Sequence, residues 1–390
     1  MPDIKSLVKK HTAAVIELRR YFHTYPELSG QEYNTQKKVL AELQALGLEA
    51  RPVADTGVVA DIDGGLPGKT IAIRADMDAL KLQDECERPY QSINNGISHA
   101  CGHDGHMAML LGIAKVLTEM KVQLPGKIRL LFQPSEEAVP GGAERLIQEG
   151  VLDGVDAILA THLWQSLEAG TIGISRGRLM AAPDEFIITV KGRGGHGSMP
   201  HQTVDPILIG AQIVLALNTI ISRKVDPLEN AVVSVGLFKA GEVFNVIPET
   251  AVLRGTVRSF ENTLRYHIFE QIEAIAQGIG QAAGAECVVE KKFGFPPVIN
   301  HAVIVDVVVD ASREVLDPKQ ILTINPVMAG EDFSCYLQKV PGMMLFVGSG
   351  NAEKGITYPQ HHAKFDIDED ALPIGMEIML RAALKLSRQQ

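Results

Sequence analysis

Hydrophobic positions recur at helical spacing in two segments at the start of the chain, separated by the break Tyr25-Pro26-Glu27-Leu28-Ser29-Gly30; the second runs from about Glu32 to Leu46 and stops at Gly47. Short apolar runs then take over at Val58–Ile62 and Thr70–Ala75, with Gly64-Gly65 and Pro67-Gly68 as turn signals between them. After His106 the pattern predicts a helix from Met107 to Met120, a strand Lys127–Gln133, a Gly-rich turn, a helix Ala143–Glu149 and a buried run Ala157–Ala160. Strands alternating with helices in this way predict an α/β sheet with helices on its faces.

The pattern changes near Pro183. A near-alternating strand, Glu185–Lys191, precedes a long helix from about Asp205 to Ser222, strands at Asn230–Gly236 and Thr250–Arg258, a helix Glu261–Ala283 and a strand Glu286–Lys292. The order β-α-β-β-α-β is that of a ferredoxin-like α+β unit. From Pro296 the α/β pattern resumes. The chain is therefore expected to form one α/β domain from residues 1–182 and 296–390, interrupted by a second domain at 183–295.

Composition narrows the function classes. With 37 basic and 47 acidic residues the formal charge is 37 − 47 = −10, and no basic cluster offers itself to nucleic acid or an anionic membrane. No apolar run is expected to span a membrane, and the charged N-terminus lacks a signal-peptide core, so a cytoplasmic location is expected. The four cysteines, Cys86, Cys101, Cys287 and Cys335, are scattered and expected to be thiols.

Candidate chemistry gathers where predicted strands of the interrupted domain end, the usual place for sites in open α/β sheets. Asp76 and Asp78 follow the buried strand Thr70–Ala75. Residues 98–106 hold three histidines, one aspartate and Cys101; thiolate and imidazole are the donors that zinc-like ions prefer. His99 and His106 read as packing or supporting residues. Glu136 and Glu137 close the strand before the Gly-rich turn, and adjacent carboxylates repel unless a cation or shared proton offsets them. One can bind metal while the other takes a proton from an attacking water. His162 follows the next apolar run, and His361-His362 lies near the C-terminus. Two other chemistries remain open on these residues: a structural zinc site without turnover, disfavoured by the spare Glu136, and a cysteine hydrolase pairing Cys101 with His103.

The stretches IRADMDAL (73–80), HACGHDGHMAMLLG (99–112), LFQPSEE (131–137), THLW (161–164), GGHGSMPH (194–201), FNVIPETAVLRGTVRSF (244–260), MAGEDFS (328–334) and HHAKFDIDEDAL (361–372) resemble, in order and over essentially the whole chain, the M20 family of metallopeptidases. They look most like its amidohydrolase branch, with bacterial N-acyl-L-amino acid amidohydrolases (aminoacylases), hippurate hydrolases and auxin-conjugate hydrolases. The resemblance implies a metallopeptidase-type catalytic domain with a mixed sheet, interrupted by a lid or dimerisation domain. It implies two divalent ions per subunit, zinc first with manganese or cobalt as alternatives. Their ligands would be Cys101, in the bridging position, and His103, Glu137, His162 and His361. Glu136 would be the general base, and Asp78 the residue that orients an imidazole. Asp76 stands where other branches have a metal-binding histidine and is not assigned as a ligand. His196 would stabilise the oxyanion of a neighbouring subunit in a homodimer or higher oligomer, and Asn245 and Arg258 would grip the substrate's carbonyl and carboxylate. Backbone near Gly330 is a further candidate substrate contact. Lys81 and Ala363 replace prolines usual in the family, which bears on loop shape rather than chemistry. The implied reaction is hydrolysis of the amide bond of a small N-acyl-L-amino acid; a dipeptidase or carboxypeptidase on the same scaffold is the alternative.

Overall fold

The structure, a computed structural model, describes residues 3–388. It divides into two compact units. One takes in the chain up to Leu179, Ile299–Asn325 and everything from Asp332 onward; the other is Met180–Val298 with Pro326–Glu331.

The first unit is built on an eight-stranded sheet in the order Ala50–Val53, Gly57–Asp63, Pro125–Gln133, Leu66–Asp76, Ala157–Glu168, Gly342–Gly350, Ile172–Ile174, Ile321–Thr323. The four central strands, Pro125–Gln133 through Gly342–Gly350, are mutually parallel, and antiparallel pairings on either side make the sheet mixed. Strands such as Gly342–Gly350 are buried at every position, as expected of a parallel sheet covered on both faces. The helix His103–Met120 is likewise buried almost throughout, and packs with Ile4–Thr24 and Ala371–Ser387. Gly112 permits that close approach: a Cβ there would stand 2.5 Å from Val15 Cγ2 and 2.6 Å from Met376 Cε.

The second unit carries a four-stranded antiparallel sheet in the order Ala231–Ala240, Thr250–Ser259, Ala182–Lys191, Glu286–Lys292. Counted along the chain the order is 2-3-1-4, the ferredoxin-like arrangement. Helices Pro206–Arg223 and Asn262–Ala283 share a core with it formed by Phe186, Ile188, Val190, Ile213, Leu253 and Ile272 among others.

Four expectations need correction. Residues 326–331, read from sequence as part of the resumed α/β domain, group with the second unit, where the Ala181 amide donates to the carbonyls of Val327 and Ala329. The helix read from Met107 starts at His103, so the polar residues His103, Asp104 and His106 are helical and buried. The strand read as ending at Ala160 runs to Glu168, because Gly342–Gly350 pairs with it past the polar Thr161 and His162. Pro206–Arg223 is, by length and composition, apolar enough to cross a membrane, where none was expected; one third of it is buried, chiefly the face carrying Ile209, Ile213, Leu217 and Ile220.

Candidate metal centre

The site lies at the carboxyl ends of the central parallel strands. Asp76 pairs in register with Gln133, and Arg74 pairs with Ala160, so two residues further along each strand Asp76 comes level with His162. Three backbone features shape the segments that carry the expected ligands. Gly102 precedes the helix at φ 96°, a conformation costly for any residue with a Cβ. Ser135 (φ 55°) and His361 (φ 64°) adopt left-handed geometry without being glycine, so their surroundings must hold them there.

The donors Cys101, His103 and His162 lie within 4.8 Å of one another, and so do Cys101, Glu137 and His361. Two triads sharing one thiol are thus formed by the five residues expected as ligands. Cys101 Sγ stands 3.5 Å from His162 Nε2, and His361 Nε2 stands 3.2 Å from Glu137 Oε1. Two donors each ~2.0–2.3 Å from a tetrahedral ion stand about 3.3–3.8 Å apart, so these spacings are close to those of shared ions. Tautomers agree. His162 Nδ1 donates to the Leu163 carbonyl (2.9 Å) and His103 Nδ1 to the Asp78 carbonyl (2.8 Å), which leaves both Nε2 lone pairs facing the centre. His103 Nε2 is buried with no hydrogen-bond partner among the described residues, an orphan that a cation would satisfy.

A third grouping, Asp76, His103 and His106, is not a site of the same kind. The Leu163 amide donates to His106 Nε2 (2.8 Å) while His106 Nδ1 donates to Asp76 Oδ1 (2.6 Å), so both ring nitrogens are committed. Nor does Cys101 pair with His103 as a nucleophile and base would; its hydrogen-bonding imidazole is His162.

Asp78 does more than face an imidazole. Its carboxylate accepts from the amides of Glu136 and Glu137 (3.0 Å each) and from Ser29 Oγ (2.6 Å), fixing the turn that presents both glutamates. Its contact with His103 is chiefly through its own carbonyl, the carboxylate being 3.5 Å from Nδ1. Glu136 is buried, at 8% exposure, and offers an oxygen within 4.8 Å of donors from His103 and Glu137.

Electrostatics suit a cation. Burial, with the carboxylates of Glu137, Glu136 and Asp76, pushes the Cys101 thiol well above its ordinary value. Burial would depress His103, but Asp76, Asp78 and Glu137 outweigh it and raise the imidazole to about 10. Burial and the neighbouring His106 hold His162 well below the usual histidine range. Cations bound in such an anionic pocket reverse the balance for thiol and imidazole.

Sequence reading missed the residues behind the ligands. Arg74 is buried, and its guanidinium donates to Gln133 Oε1 (2.8 Å), Asp76 Oδ2 (2.6 Å) and Asp332 Oδ1 (2.8 Å). Gln133 Nε2 and the Ala143 amide also donate to Asp332. A continuous polar chain therefore runs from Asp332 through Arg74 and Asp76 to His106. Arg74 and Asp332 both lie in stretches singled out above; a charged residue inside a buried strand was the available signal.

The remaining candidates belong to the second unit. His196 and Asn245 are exposed; Val246 pairs with His196, and the Gly197 amide donates to the Asn245 carbonyl. Ser198 donates to His196 Nδ1 through its amide (3.1 Å) and hydroxyl (2.8 Å), which leaves the proton on Nε2. The side chain of Arg258, half-buried on Thr250–Ser259, makes no hydrogen bond or ion pair among the described residues, and burial draws its pKa down against the charge of Asp184. It pairs with Pro183, whose ring also leaves no room for a side chain at Gly330: a Cβ there would meet Pro183 Cγ at 2.4 Å.

The sequence profile of peptidase family M20/M25/M40 matches residues 72–385. An N-acyl-L-amino acid amidohydrolase of Geobacillus stearothermophilus is 50% identical over 77% of this chain and 81% of its own length. An N-acetyl-L-cysteine deacetylase of Bacillus subtilis is 41% identical over 95% and 88%. The crystal structure of a Bacillus subtilis protein described as a dinuclear metal binding peptidase of family M20 superimposes with a TM-score of 0.86 at 34% identity, covering 98% of this chain and all of that one. Profile, relatives and fold agree over nearly the whole length: the chain belongs to peptidase family M20/M25/M40.

Proposed function

We propose that this chain is a metal-dependent amidohydrolase that cleaves N-acyl-L-amino acids to a carboxylic acid and a free amino acid. The observation that carries the reading is the pair of donor triads sharing Cys101, with the buried Glu136 beside them. A purely structural metal site has no use for that extra carboxylate.

Cys101, His103 and His162 would hold one divalent ion, and Cys101, Glu137 and His361 the other. The shared thiolate and three imidazoles favour zinc, with manganese or cobalt able to serve. Such ions would supply Lewis acidity to the amide carbonyl and make an attacking water acidic near neutral pH. Glu136 takes the proton from that water as its oxygen attacks, then delivers it to the leaving nitrogen. Asp78 keeps Glu136 aimed by holding its amide. His196, with its proton on Nε2, is a donor suited to the oxyanion, and Asn245 to the substrate carbonyl. Arg258, half-buried and with no side-chain hydrogen bond among the described residues, is suited to the free carboxylate, and the backbone near Gly330 is a further candidate contact.

We further propose a homodimer. Ala231–Ala240 is an edge strand, and exposed apolar residues (Leu208, Leu215, Leu237, Phe238, Phe244) lie on that strand, on Pro206–Arg223 and on the loop after the strand. Four free thiols suit the cytoplasm. A thermostable carboxypeptidase of Saccharolobus solfataricus, 40% identical over 99% of this chain, favours peptide cleavage as the second reading. The test is a panel of N-acetyl, N-benzoyl and dipeptide substrates of one amino acid, run on metal-reconstituted native protein and on Glu136→Gln. Acyl amino acids should be the better substrates, and the variant should retain metal while losing roughly 10²–10⁴-fold in kcat. Preference for the dipeptide would select the second reading; near-native activity in Glu136→Gln would remove Glu136 as the base.

A further inference from the structure

Arg19 is fully buried in the C-terminal third of the N-terminal helix Ile4–Thr24, far in sequence from any expected ligand. Its guanidinium donates from Nε to Asp104 Oδ2 (2.8 Å) and from Nη2 to Asp366 Oδ1 (2.6 Å), and lies 4.8 Å from the Tyr90 ring centroid. One turn on, His23 Nδ1 meets the same Asp104 oxygen at 2.7 Å and Nε2 stands 3.3 Å from Asp84. Buried ion clusters of this kind seldom outperform an apolar core in stability, so what this one holds in place matters. Asp104 directly follows His103. Asp366 lies five residues after His361, on the segment whose backbone is anchored by the His361 amide donating to the Ala100 carbonyl at 2.7 Å.

His361 is the donor most in need of such anchoring. Its side chain is 55% exposed, and its φ of 64° is unfavourable for a residue with a Cβ. Beyond it, the segment is held by Asp366, which also meets Arg88 Nε at 3.0 Å. One planar guanidinium thus bridges the His103 turn and the His361 segment, which carry one unshared donor from each triad.

We propose that Arg19 is a positioning residue that sets the separation of the two triads, and so governs uptake of the second metal ion; this rests on the dinuclear reading above. Arg19→Lys keeps the charge but loses the fork that reaches Asp104, Asp366 and, more weakly at 3.4 Å, Glu369. Asp366→Asn keeps Arg19 and loosens only the His361 side. Metal-free native protein, both variants and an Arg20→Lys control on the exposed side of the same helix are titrated with cobalt(II), following thiolate and d–d absorption. Folding of each metal-free protein is checked by circular dichroism. Native protein and control should bind two equivalents. In the variants the second equivalent should bind roughly 10–100-fold more weakly, the range seen when partners behind metal ligands are lost. Two equivalents bound by the variants within about threefold of native affinity, on the same scale of effects, would overturn the proposal alone. Fewer than two in native protein would overturn the dinuclear reading and the proposal with it. Loss of folding in both variants would make the cluster a folding element and overturn the positioning role.

Discussion

Arg258 has the most specific consequence of any single residue. A half-buried guanidinium that has no side-chain hydrogen bond among the described residues, and on which burial outweighs the charge of Asp184, is an arrangement that an incoming carboxylate would complete. If it grips the substrate's carboxylate, Arg258→Ala should cost ~2–5 kcal/mol in kcat/KM on N-acetylmethionine. The same change should hardly alter the already poor N-acetylmethionine amide, which lacks the charge. Comparing the two substrates isolates the coupling from general damage; equal losses on both would assign Arg258 to the fold. At this scale the sequence was informative where chemistry is intrinsic to the residue type. Cys101 and His103 stood out because sulfur and imidazole so close together have few structural uses, whereas Glu137, His162 and His361 became candidates for the same role only through the motifs that surround them. Arg74 and Asp332 were not legible, because their bond spans 258 positions: a charged residue inside a buried strand signals that a partner exists but not which one.

Among the elements, the helix His103–Met120 shows how packing shapes the site. Its first turn carries His103, and its middle is wedged between Ile4–Thr24 and Ala371–Ser387, so any shift along it moves a donor. Gly112→Val should destabilise the protein by about 1–3 kcal/mol, because Val15 is stiff and only Met376 can yield. Urea unfolding of the metal-free protein reads this, and an unchanged midpoint would show that the helices have slack. The periodicity of this helix predicted its apolar body but not its start. Polar His103–His106 look like loop residues until the site shows that each side chain is committed inward. Strand Ala157–Glu168 was cut short for the same reason: His162 is polar, and the partner that keeps it in the sheet lies near the other end of the chain.

For the molecule as a whole, buried charge links stability to pH. Burial and Arg19 push His23 down, but its bonds to Asp104 and Asp84 prevail and raise its pKa. A raised histidine stabilises the fold fully below its unfolded value of about 6.5, and that stability is lost as pH rises through the folded value. Thermal unfolding of metal-free protein should therefore show a greater loss from pH 6.5 upward in native protein than in His23→Gln, which cannot titrate. Parallel profiles would mean that His23 carries no linked proton. The division into an α/β unit and a βαββαβ unit could be read from the order of elements, since alternation and helical period are local properties. Residue chemistry and local patterning marked out candidate donors and the adjacent acid, and the resemblance of whole motifs to a family assigned each its expected role. They could not show which donors face one ion, which histidine nitrogens are already bonded, or that an arginine on the first helix holds Asp104 and Asp366 together. Those features depend on pairing between segments up to 347 residues apart, and such pairing exists only once the sheet and its covering helices have packed.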